Sequence, residues 1–171
     1  MCLCMCISLV AGEGFCTKKL ESAGSIYNQI KKDMDQEEVM SLVAVLAFMV
    51  KVDEEIHISE KKTFRIICNR FGLKSVDLNQ ILVNPLSLRH LLQDIHTQDA
   101  KTLLVNLLAL ISAKDGIICH SEEHSLLKIM EILGESISDY PFFDQQGMLN
   151  IDKVLNYEMQ FLAKLPPIDP I

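Results

Sequence analysis

The sequence predicts an all-α fold in which one helix–loop–helix unit is used twice, and three observations carry that expectation. Sliding the chain by 62 positions aligns residues 42–72 with residues 104–134 without a gap. Ten of the 31 aligned positions are identical, where average residue frequencies would give about two. In both copies apolar residues recur at helical spacing, and each copy stops at a glycine suited to a left-handed cap. No alternating apolar–polar run of useful length appears, so no strand is expected.

The elements follow in chain order. Residues 1–16 form a Cys-rich leader in which Cys2, Cys4 and Cys6 alternate, with Cys16 beyond. Such a cluster suits a soft metal or an acyl chain near a membrane; the plainer reading is a weakly attached leader. The apolar stretch at its start lacks the preceding Lys or Arg and the cleavage site of a secretion signal. Residues 18–32 read as an amphipathic helix with Leu20, Ile26, Tyr27 and Ile30 as its contacts. A first central helix spans residues 37–52, and its repeat spans residues 99–114. Both are apolar nearly all round in their second halves, the mark of a buried helix, with Leu46 and Leu108 at the centre of the core. The second helix of each unit is expected to begin at Ser59 or Ser121 as N-cap, with Glu60 or Glu122 in the first turn facing the positive end of the helix dipole. Phe64, Ile67, Cys68 and Phe71 supply one apolar face, and Leu126, Ile129, Met130 and Leu133 the other. Asn84-Pro85 separates two short helices over residues 75–83 and 86–95 that bridge the units. Residues 137–143 read as a short helix or turn, and residues 151–165 as a last helix with Val154, Leu155, Met159, Phe161 and Leu162 apolar. Residues 166–171 are an irregular tail, which leaves residues 17–165 as a single helical domain with repeat units 42–72 and 104–134.

Composition narrows the function. A net charge of −7 and an isoelectric point near 5.2 argue against nucleic-acid binding, which needs an electropositive surface. Cations or basic partners suit the chain better. Mean hydropathy is high, +0.22, yet the longest apolar run, residues 42–50, is about half the ~20 residues a bilayer span requires. The cysteine spacing shows no disulfide framework, so a reducing, cytoplasmic setting is expected.

The chemistry candidates lie in the two loops, each reading Asp-x6-Glu: Asp53 with Glu60, and Asp115 with Glu122. An Asp near a helix C-terminus faces the negative end of the dipole and calls for a cation or nearby donors. Glu54, Glu55 and Glu123 add oxygen donors of the kind calcium or magnesium prefers. An EF-hand does not fit, because its first two ligand positions would fall on Ile111 and Ala113, or on Met49 and Lys51. The competing reading is structural: Asp-Gly turns the chain, Ser and Glu start a helix, and Ile56 or Ile118 plugs the core beneath. His120 and His124, beside Cys119 and Glu123, lack the closed four-ligand set of a structural zinc site. His57, His90 and His96 read as surface residues. No nucleophile elbow, phosphate loop, HExxH or CxxC motif occurs, so no catalysis is expected. A metal-dependent hydrolase would need an open water-activating site, and no general base accompanies one.

The segments LAFMVKVDEEIHISEKK and LALISAKDGIICHSEEH share an apolar helix ending in Ala-x5-Asp, a short loop containing Ile, and Ser-Glu at the next helix. This pattern resembles the TerB-like family associated with tellurite resistance. The resemblance implies an all-helical domain of two pseudo-symmetric halves with an acidic, divalent-metal-binding surface. By matched position, Asp53, Glu60, Asp115 and Glu122 would be the ligands. It also implies a role in stress response through protein partners, in peripheral membrane or chaperone-linked complexes, and so a sensor or adaptor. The chain departs from the pattern at Glu54, where the family has Gly. The alternative is a metal-free helical scaffold whose acidic face binds a basic protein partner.

Overall fold

The computed structural model describes residues 34–52, 57–73 and 88–166. The helices expected over residues 18–32 and 75–83, the cysteines of the leader, Asp53, Glu54, Glu55 and Ile56 lie outside those residues. The described residues are helical: α1 Gln36–Met49, α2 Ile58–Arg70, α3 Leu88–Gln93, α4 Gln98–Ser112, α5 His120–Leu133 and α6 Ile151–Ala163, with a 3-10 turn Ile137–Asp139. Among them there is no strand, only an isolated bridge between Phe143 and Leu149.

The helix boundaries keep the 62-residue offset. Gln36 and Gln98 open the central helices, and Ile58 and His120 open the second ones. The N-caps Asp35 and Thr97 each accept a hydrogen bond from the backbone three residues on, at Glu38 and Ala100. At the far ends, Gly72 and Gly134 take φ of +79° and +73°, a conformation that L side chains resist. The amides of Leu73 and Glu135 then reach back to the carbonyls of Cys68 and Met130, each at 2.9 Å, the six-to-one bond that closes a Schellman motif.

Helix α4 is the hub. It packs against α1, α2, α5 and α6, and every residue from 103 to 113 is buried. A helix so enclosed needs mostly apolar side chains all round it, which its sequence supplies apart from Asn106 and Ser112. Leu46 and Leu108 are both fully buried, and the expected faces of α2 and α5 turn inward at Phe64, Ile67 and Cys68 and at Leu126, Ile129, Met130 and Leu133. Burial pushes the Cys68 thiol up to about 12, so it behaves as a small hydrophobe.

The last helix departs from expectation. Val154 and Phe161 enter the core, but Leu155 and Met159 are exposed, Met159 by 78%. An edge helix resting on one neighbour buries a narrow stripe, here 154, 161 and the following Leu165, rather than every apolar position it carries. Phe161 meets Phe142 edge-on at 5.7 Å and stacks on Tyr157 at 6.0 Å. Lys114 pairs with Glu158 and ties the end of α4 to α6. No helix among the described residues is long and apolar enough to cross a membrane.

Two substitutions on α4 test this packing. Leu108→Ala should lower the unfolding free energy by ~2–5 kcal/mol in a urea titration, because a fully enclosed site cannot collapse around the cavity. Ser112 is fully buried, and among the described residues its hydroxyl has no hydrogen-bond partner. Ser112→Ala should therefore be neutral or stabilise by about 1 kcal/mol in the same titration.

Candidate functional site

The paired loops come first. The second helices begin two residues earlier than the serines suggest: the N-caps are His57 and Cys119, and Ser59 and Ser121 lie inside the first turn. The glutamates set this register. Glu60 Oε2 accepts from the His57 amide at 3.1 Å, and Glu122 Oε2 accepts from the Cys119 amide at 2.9 Å. Cys119 completes a capping box, its Sγ accepting from the Glu122 amide at 3.4 Å, in the place usually held by Ser or Thr. Ser121 Oγ lies 2.9 Å from the same sulfur. Glu60 and Glu122 are each only 2% exposed.

Asp115 is held from two sides. Its Oδ1 accepts from the Ile117 amide at 2.9 Å, an Asx turn around Gly116, whose φ is +85°. Its Oδ2 stands 3.6 Å from His57 Nε2, across the gap between the two loops. Sequence reasoning placed His57 on the surface and missed this contact, since only folding brings residues 57 and 115 together.

A divalent ion at these loops would draw on Asp115, Glu60 and Glu122 among the described residues. The two glutamates each commit an oxygen to a helix cap, and among the described residues no three His, Cys, Asp or Glu gather as a metal-holding group. The described donors therefore make an incomplete set for calcium or magnesium, which take six or more oxygens or near-octahedral geometry. His120 and His124 are exposed, their rings 6.2 Å apart.

A second site was not anticipated. A cleft of about 190 Å³ opens where the start of α1 meets the end of α3 and the turn into α4, lined by Asp35, Glu37, Gln93, Asp94 and His96. Directly behind it lies Glu38, fully buried. Its Oε1 accepts from the amides of His96 and Thr97 at 3.0 and 2.8 Å and from the Thr97 hydroxyl at 2.9 Å. Glu38 thus caps α4 from another helix, a favourable place for a negative charge. Its Oε2 is buried without a hydrogen-bond partner among the described residues. Ser41 on α1 donates to Asp94 Oδ2 at 2.7 Å and adds a second tie.

The sequence hid this arrangement because Asp35-x-x-Glu38 looks like a local capping box. Asp35 fills its half, accepting from the Glu38 amide at 2.8 Å. The Glu38 side chain turns away to the α4 turn. The repeat held one signal: the position matched to Glu38 is Ala100, so the carboxylate belongs to the first unit alone.

Two further substitutions separate these roles. Glu38→Ala should lose roughly 2–4 kcal/mol in thermal or urea denaturation, because several donors to a buried charge lose their acceptor at once. Glu122→Ala should lose at least ~1 kcal/mol, the worth of one helix cap. Comparison of the chain with protein-family models, curated proteins and solved structures gives no match.

Proposed function

We propose that this chain is a non-enzymatic helical adaptor that receives a basic side chain, arginine or lysine, of a protein partner in the acidic cleft at the head of α1. The observation that carries the reading is the lining of that cleft: Asp35, Glu37 and Asp94 present carboxylates, and no lysine or arginine lies among them. A concave, mostly acidic recess concentrates negative potential and favours a cationic group over a neutral one. The net charge of −7 acts in the same direction at long range. Helices fix the recess through α1, α3 and α4, so a partner meets a preformed shape. The TerB-like resemblance, in which two pseudo-symmetric halves serve as a sensor or adaptor in stress response, is compatible with this role, and the shared offset of the helix starts and caps supports such halves.

A second reading keeps the divalent cation at Asp53, Glu60, Asp115 and Glu122. One observation favours it: Asp115 is 14% exposed and faces the opposite loop, where a shared ion would sit. Calorimetric titration with calcium, magnesium, manganese and zinc separates the two readings. Saturable binding that Asp115→Asn removes would favour the cation.

The adaptor reading is checked with a fluorescent arginine-rich peptide in an anisotropy titration. Glu37 is exposed and carries no structural hydrogen bond among those described, so Glu37→Lys should weaken binding about fivefold or more at low salt while leaving the melting temperature nearly unchanged. Asp152→Lys, on the exposed side of α6, should have a smaller effect. Equal effects of the two reversals would reduce the binding to net charge and remove the cleft from it.

A further inference from the structure

We propose that His96 and Glu38 form a proton-regulated fastening between α1 and the turn that leads into α4, tighter when His96 carries a proton. The inference concerns the joint itself and stands whether or not the cleft receives a partner.

The geometry carries it. Glu38 is a fully buried carboxylate, and among the described residues no lysine or arginine forms an ion pair with it; the ionisable nitrogen that stands against its Oε1 is His96 Nδ1, at 3.9 Å. The ring is 62% exposed, so it can exchange protons with solvent. His96 Nδ1 lies 2.9 Å from the Asp94 carbonyl. A carbonyl only accepts, so Nδ1 carries hydrogen and Nε2 is the nitrogen that gains or loses the titrating proton.

The charged groups facing the ring among the described residues are carboxylates. Glu38 and Asp35 come from α1, Asp94 from the turn, and Glu37 from the rim of the cleft. The Asp94 carbonyl first, and then the Glu38 charge, hold the His96 imidazolium above the ordinary histidine range. The consequence for stability has a definite sign. A histidine whose folded value is raised contributes stability that is fully present below its unfolded value, near 6.5, and is lost as pH rises through the folded value. The joint is therefore tightest on the acidic side of neutrality and loosens above it.

The same residue carries both halves of the device. The His96 backbone amide donates to Glu38 while its ring senses the proton. Gain of the proton adds a positive charge to a buried negative one, and the amides of His96 and Thr97 are then held more firmly against Oε1.

The test is two NMR measurements on the full chain. The His96 ring titration should have its midpoint above that of the same histidine in the urea-unfolded chain, and Glu38→Gln should move it down. Hydrogen exchange at the His96 and Thr97 amides, corrected for intrinsic rate, should show greater protection at pH 6 than at pH 8, and His96→Gln should erase that difference. If Glu38→Gln does not fold, the wild-type titration and His96→Gln still decide, because His96 is exposed. A His96 midpoint equal in the folded and unfolded chains, or protection at the two amides that does not change with pH in wild type, would overturn the proposal.

Discussion

A buried carboxylate dictates how the first helix meets the rest of this molecule. Glu38 lies at zero exposure, and among the described residues no lysine or arginine forms an ion pair with it, so its bonded oxygen is met by the amides of His96 and Thr97 and by the Thr97 hydroxyl. The amides opening α4 are suited to this, since a helix begins with N–H groups that have no partner within the helix. The need of the acid and the need of the helix end are the same need, and satisfying both sets α1 and α4 head to head. With that contact in place, the apolar lengths of the two helices run beside each other and α4 becomes the hub.

The two loops show the opposite economy, in which polar groups are satisfied locally. Glu60 and Glu122 reach back only three residues, and each closes the start of its own helix. Each carboxylate has a capping role at the matched position of its unit. Asp115 differs, because its second oxygen turns toward His57 of the other loop. That contact links the two loops directly.

The functional reading follows from where charge is left over after the fold is satisfied. Around the cleft, Asp35 caps α1 and Asp94 accepts from Ser41, yet both still line the recess together with Glu37. A group can hold the structure and face solvent at once when one oxygen does each job. The result is a rigid acidic pocket at one end of the bundle, suited to a cation carried by another molecule, with His96 at its edge able to trim that charge as pH falls.

The all-helical class, the placement of α1, α4, α5 and α6 and the buried residues Leu46 and Leu108 were legible in the sequence, because helical periodicity, caps and glycine stops are local properties of the chain. The identity of the caps was less so: serine is the common N-cap, and only the formed turn showed that the glutamate reach set the register two residues earlier, at His57 and Cys119. The exposure of Leu155 and Met159 also escaped, since periodicity says which residues are apolar and not how wide a stripe a neighbour covers. The site depended on tertiary structure altogether. Glu38 and Thr97 are 59 positions apart, and His57 and Asp115 are 58 apart, in no motif. A hydrogen bond across such a distance has no signature in sequence, because either residue alone would serve equally well on a solvated helix end.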